Sequence, residues 1–124
     1  MRYLIDTHIL LWWLSGDSLL KPKIKKIIAS EAVWVSTAVI WEIVIKTQLG
    51  KLSIPGNLEE ELRKQGFNIL DIKIAHVFGL QRLESHHSDP FNHIQIAQAA
   101  NEGLTFITKD KHVQKYSGVD ILNA

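Results

Sequence analysis

Tyr3-Leu4-Ile5-Asp6-Thr7-His8-Ile9-Leu10-Leu11-Trp12-Trp13-Leu14 is the stretch from which the fold is read. Tyr3-Leu4-Ile5 is a short apolar run of the kind that forms a buried strand. Asp6-Thr7 then offers a cap for a helix over His8 to Leu14, which Ser15-Gly16-Asp17 ends. The same order recurs downstream. Val33-Trp34-Val35 reads as a second strand, and Ser36 or Thr37 caps a long helix to about Leu49, with Gly50 as its stop. Between them Ile24, Ile27 and Ile28 fall at helical spacing, which predicts a helix over Pro22 to Ser30. Leu58 to Lys64 reads as a short charged helix, Phe67 to Ile72 as a strand or extended connector, and Ala75 to Leu83 as a helix weakened by Gly79. Asp89-Pro90 opens a helix to Asn101. Leu104 to Ile107 reads as a strand, Lys111 to Tyr116 as a helical turn, and Val119 to Leu122 as a last strand. Strands alternating with helices predict an α/β domain with a mostly parallel sheet. No repeat or linker divides the chain, so one domain over residues 1–124 is expected.

Composition narrows the function. With 46% hydrophobic and 22% charged residues in a chain of 124, a folded core is expected without a disulfide or structural metal. The lack of cysteine excludes thiol catalysis and cysteine-based metal sites, and it fits a reducing, cytoplasmic setting. Fourteen basic against 13 acidic residues leave a formal charge of +1, which excludes a polybasic binder. A nucleic acid would have to be held by local basic patches and metal ions. No uncharged apolar run approaches the ~18 residues of a membrane span, so no membrane partner is expected. Asp6 also interrupts the N-terminal apolar stretch against a signal-peptide reading.

The chemistry is read from carboxylates in costly places. Asp6 is the only Asp, Glu, Lys or Arg between Tyr3 and Gly16, and it stands at the carboxyl end of the first strand, where parallel sheets bind ligands. It is equally readable as a helix cap contributing about 1 kcal/mol. Glu42 stands alone in Ala38-Val39-Ile40-Trp41-Glu42-Ile43-Val44-Ile45, a helix apolar on nearly all sides and therefore expected to be buried on nearly all sides. A surface pair with Lys46, worth about 0.3–0.5 kcal/mol, is too little to offset full burial. Asp110 follows the strand at 104–107, and Asp89 precedes Pro90; each is also readable as a cap. Asn92 shares a helix face with Asp89 and offers a neutral carbonyl oxygen. If these groups converge, their mutual repulsion is relieved by a divalent cation, and an all-oxygen set favours Mg²⁺ or Mn²⁺ over zinc.

Other motifs are weaker. The glycines form no GxGxxG or phosphate loop, and there is no GxSxG or HExxH. Asp6-Thr7-His8 lacks the DxD of a phosphatase-type phosphoryl-transfer enzyme. His86, His87, Asp89 and His93 match no established zinc spacing and read as solvated loop and first-turn residues. Lys21, Lys23, Lys25 and Lys26 form the wet face of a helix. They are candidates for phosphate contacts, as are Lys46, Lys51, Lys109 and Lys111. Trp12, Trp13, Trp34 and Trp41 read mostly as core, although adjacent Trp12 and Trp13 cannot both point inward from one helix.

Four blocks in order resemble the PIN-domain ribonucleases of the VapC toxin type. These are Leu4-Ile5-Asp6-Thr7-His8 with Leu11 to Leu14; Ser36 to Ile43 with Lys46, Gly50, Lys51 and Leu52; His87-Ser88-Asp89-Pro90-Phe91-Asn92 with Ile96 to Ala99; and Gly103-Leu104 to Thr108-Lys109-Asp110. The resemblance covers nearly the whole chain. It implies a three-layer fold with a twisted sheet of four to five strands and helices on both faces. It also implies RNA cleavage with Mg²⁺ or Mn²⁺, leaving a 5′-phosphate and a 3′-hydroxyl. Asp6, Glu42 and Asp110 carry over as acidic site residues and Asp89 as part of the rim. Thr7, Ser36 and Thr108 match small hydroxyl positions that orient carboxylates or water. The metal would be held by Asp6 and Asp110 with Glu42 and Asn92. Partners implied are an antitoxin lying in an apolar groove near Trp12, Trp13 and the 21–30 helix, and a second copy of the chain in a homodimer. One position departs from the pattern. The family has Asp-Pro-Phe-Asp-Arg where this chain has Asp89-Pro90-Phe91-Asn92-His93, so one acidic group is replaced by an amide. That loss implies weaker metal binding.

Overall fold

Alternation along β1 (Arg2–Ile5) sets the layers of the protein, seen here in a computed structural model that describes residues 1–54, 56–84 and 89–124. Successive strand side chains point to opposite faces. Tyr3 and Ile5 therefore pack in one core with Ile9, Ile24, Val39 and Ile43, while Leu4 packs in a second with Ile96 and Phe106. The first core is closed by helices α1 (Thr7–Ser15), α2 (Pro22–Ser30), α3 (Thr37–Gln48) and α4 (Leu58–Gln65). The second is closed by α6 (Pro90–Glu102), on which α5 (Ile74–Gly79) packs.

The sheet is completed by β2 (Ala32–Ser36), β3 (Asn68–Leu70), β4 (Thr105–Thr108) and β5 (Asp120–Asn123). Its order is β3-β2-β1-β4-β5, and every neighbouring pair is parallel. The expected three-layer architecture is present, and the sheet is parallel throughout rather than mostly so. No helix among the described residues is long and apolar enough to cross a membrane.

Three expectations change in detail. The helix expected over Ala75 to Leu83 stops at Gly79 and continues as a 3₁₀ turn over Leu80–Arg82. Gly79 lies against α6, where an added Cβ would meet Ala97 Cβ at 3.6 Å. The tryptophans sit at the edge of the cores rather than inside them: Trp12, Trp13 and Trp34 are half-buried and pack against them, and Trp41 is 59% exposed. An indole is rarely buried whole because its N–H needs a partner; that of Trp13 donates to Gln65 Oε1 at 2.9 Å. Likewise α3 is not buried on all sides, because Trp41 and Val44 face outward. Glu42 itself lies on the inner side and is 7% exposed.

α5 buries its histidine and exposes Ile74, Val77 and Phe78. His76 Nδ1 accepts the Lys73 N–H at 2.9 Å, so Nε2 carries the proton and donates to Glu102 Oε2 at 2.7 Å. This ties α5 to the end of α6. The His76 hydrogen bond, helped by Lys73, holds the Glu102 carboxyl below its ordinary range despite some desolvation.

Candidate active site

The strand register collects the polar groups. Ile5 is level with Val35 on β2 and with Ile107 on β4. The next residues, Asp6, Ser36 and Thr108, therefore emerge along one carboxyl edge. From β1 the chain goes to β2 on one side and returns to β4 on the other, which makes the β1–β4 gap the switch point where parallel sheets bind ligands.

Asp6 stands in that gap and is 3% exposed. Its Oδ1 accepts the Ile9 N–H at 3.0 Å, capping α1, and its Oδ2 accepts the Thr108 hydroxyl. Burial pushes its carboxyl above the ordinary range; Asp110 pushes the same way, and the Thr108 and Ile9 hydrogen bonds and nearby His8 oppose the shift. Capping and a costly carboxylate thus coexist in one residue. Thr108 Oγ in turn accepts the Asp110 N–H at 3.0 Å, so a single hydroxyl sets the spacing of the two acids. Asp110 Oδ1 accepts the His112 N–H at 2.8 Å, and Asp110 Oδ2 accepts from Asn92 Nδ2 at 3.0 Å.

Glu42 enters from α3. Its Oε1 accepts the Thr7 hydroxyl at 2.6 Å, and its Oε2 lies 2.7 Å from Lys46 Nζ. The buried carboxylate is therefore compensated by a hydroxyl and by an ammonium four residues away, a partly desolvated pair rather than the surface pair of the simplest reading. Asp89 caps α6 through its Oδ1, which accepts the N–H groups of Phe91 at 2.9 Å and Asn92 at 3.3 Å.

Together Asp6, Thr7, His8, Glu42, Asp89, Asn92, Lys109 and Asp110 line a pit of about 130 Å³. Four carboxylates from four separate stretches of sequence thus share one wall system. Other candidates lie elsewhere. The Ser36 hydroxyl accepts the Ala38 N–H at 3.0 Å and caps α3. Of the lysines, Lys109 reaches the pit and Lys46 is tied to Glu42, while Lys51 and Lys111 are exposed beyond its lining. His93 faces away, with Nε2 at 2.9 Å from the Tyr116 hydroxyl; His86 and His87 lie outside the described residues. Sequence reasoning misses His8, although its place two residues after Asp6, in the first turn of α1, is the signal that puts it on the pit wall.

The donor set suits a hard cation. Every acidic group in the pit presents oxygen, and the Asp6 and Asp110 carboxylates lie close enough to repel. Among the described residues no three His, Asp or Glu side chains form a ready ligand cluster. Mg²⁺ does not need one, since it is commonly bound by one or two carboxylates together with water and substrate phosphate. Asp6 and Asp110 would supply that pair.

A family model described as PIN domain matches residues 3–119. No curated protein sequence matches the chain. Among solved structures, VapBC2 from Rickettsia felis bound to a DNA fragment from its promoter is similar over 100% of this chain and 99% of that chain, at 14% identity and a TM-score of 0.77. DNA-bound VapBC from Salmonella typhimurium is similar over 99% and 98%, at 13% identity and a TM-score of 0.68. FitAcB from Neisseria gonorrhoeae is similar over 99% and 97%, at 18% identity and a TM-score of 0.66. At these identities the likeness shows the fold.

Proposed function

The chain belongs to the PIN domain family, and on that premise we propose that its acidic pit is the active site of a metal-dependent endoribonuclease, the toxin of a toxin–antitoxin pair. The observation that carries this reading is the buried Asp6 carboxylate, held beside Asp110 at the sheet's switch point by one shared threonine. A carboxylate kept there against its desolvation cost is what a cation site requires. The solved structures similar to this chain include VapBC assemblies and a toxin–antitoxin complex from Klebsiella pneumoniae, which supports a partner antitoxin for this chain too.

Asp6 and Asp110 would hold Mg²⁺ or Mn²⁺, with Glu42 and Asn92 beside them. The cation, when bound, polarises the phosphate and lowers the pKa of water. The chain's own groups do the rest. Thr108 binds both Asp6 and the backbone of Asp110 and so holds the two acids beside each other. Glu42, oriented through both oxygens, is the acceptor for a proton of the attacking water. Water adds to phosphorus as Glu42 takes its proton, the bond to O3′ breaks and O3′ takes up a proton from solvent, and the products are a 5′-phosphate and a 3′-hydroxyl. Lys109 and the exposed Lys51 and Lys111 contact RNA phosphates. The protein acts in the cytoplasm as a homodimer.

A second reading is a catalytically weakened module serving antitoxin or RNA binding. The hydrogen bond from Asn92 Nδ2 to Asp110 Oδ2 favours it, because an amide there satisfies an acid that would otherwise be left for a cation. Cleavage of a labelled structured RNA with Mn²⁺, and with EDTA, separates the two. The nuclease reading predicts cleavage by the wild type that EDTA stops and that Asp110→Ala removes. Absent wild-type cleavage that Asn92→Asp restores would instead establish the weakened module.

A further inference from the structure

Among the described residues Lys109 borders four carboxylates and pairs with none. Its ammonium lies 4.7 Å from the centroid of the Trp12 ring. Lys46, one turn along α3 from the pit's Glu42, is by contrast 2.7 Å from that carboxylate. An ammonium on a four-carbon stem is free to swing onto a neighbouring carboxylate. Asp110 is its chain neighbour, and Asp6 lines the same pit. The indole face gives the charge another seat through a cation–π interaction. Trp12 is half-buried and packs against the core, which holds the seat in place.

This placement bears directly on the pit. An ammonium lying across Asp6 and Asp110 would neutralise the carboxylates that a divalent cation needs, and would compete with it. We propose that Trp12 is a positioning residue that parks the Lys109 ammonium clear of these acids and so preserves the pit's affinity for a divalent cation. The inference rests on the reading of the pit as a cation site. It assigns a role in that site to a side chain that does not line it.

The test is Mn²⁺ binding by calorimetry to the full chain, with thermal melts as a folding control, in wild type, W12F, W12L, K109M and the W12L/K109M double variant. W12L, which lacks an aromatic face, is expected to bind Mn²⁺ about two- to fivefold more weakly, the scale set by the strength of a surface cation–π interaction. W12F, which keeps a ring, should stay close to wild type. K109M should bind at least as tightly as wild type, since it removes a competing positive charge. In the K109M background W12L should then change nothing. Should W12L unfold, W12M keeps an apolar side chain without a ring and takes its place. Mn²⁺ binding by wild type with W12L unchanged, or with W12L equally weakened in the K109M background, would overturn the role of Trp12 alone. No Mn²⁺ binding by folded wild type would overturn the cation site and this inference together.

Discussion

Asp6→Asn is expected to lower Mn²⁺-dependent RNA cleavage by a factor of about 10²–10³ while making the metal-free protein more stable. The first effect follows from the several kcal/mol of charge stabilisation that a catalytic cation supplies, at about 1.4 kcal/mol per factor of ten. The second follows from burial. Desolvation dominates the upward shift of the Asp6 carboxyl, so its ionised form is held in the fold at a cost. Asparagine caps a helix as well as aspartate does and carries no charge to desolvate. A gain of about 0.5–2 kcal/mol is expected for relieving a functional site in this way.

The pH dependence has a definite sign. A raised folded-state pKa means that the folded chain holds this proton more tightly than the unfolded chain. Its contribution is therefore most favourable below the unfolded value and is lost as pH rises through the folded value. The stability gap between Asp6→Asn and wild type should accordingly be widest at neutral pH and close on acidification. Calorimetric melts in EDTA at acidic and neutral pH measure it. A variant that is less stable than wild type at neutral pH would show that the carboxylate is a net structural asset.

Phe106→Ala is expected to cost about 3–5 kcal/mol, a large share of the ~5–15 kcal/mol that holds a domain together. Phe106 is fully buried on β4, one place from the centre of the sheet, in the core that includes Leu4, Ile96, Leu104 and Val113. Ile121 pairs with it from the edge strand β5 and is only half-buried. Ile121→Ala should cost about 1–2 kcal/mol. Urea unfolding of both variants checks the strand order through its energetics. Equal costs would contradict an inner β4 beside an edge β5.

The first strand and helix are legible because one apolar run, one acid and one helical repeat follow each other within a short stretch. Glu42 is legible for a related reason: it stands alone in an apolar run. The inference from that run to burial on every side is too strong, since Trp41 and Val44 face outward. Hydrophobicity marks a residue that some surface will cover, but not whether this chain covers it. The caps read at Asp6 and Asp89 are present, whereas Asp110 accepts the His112 N–H in a turn ahead of a 3₁₀ turn whose N-cap is His112, and all three residues line the pit. In the sequence capping and site roles look like alternatives, yet a carboxylate has lone pairs enough for both.

What sequence does not supply is the hydrogen bonding across elements. Thr108 bridges Asp6 and Asp110 only because the parallel register puts the ends of β1 and β4 level. The choice of Lys46 to pair and of Lys109 to stack depends on side-chain placement that no spacing encodes. The same holds for Asn92. Its departure from the family pattern is plain in the sequence, but its donation to Asp110 is a fact of geometry.

Anomalous scattering from a crystal of the protein soaked in Mn²⁺ shows whether Asp6 and Asp110 share a cation. A peak is expected in the pit, in contact with the carboxylates of both Asp6 and Asp110, and absent from crystals of Asp6→Asn. A pit without a peak, or a peak that touches neither acid, would contradict a cation site shared by the two.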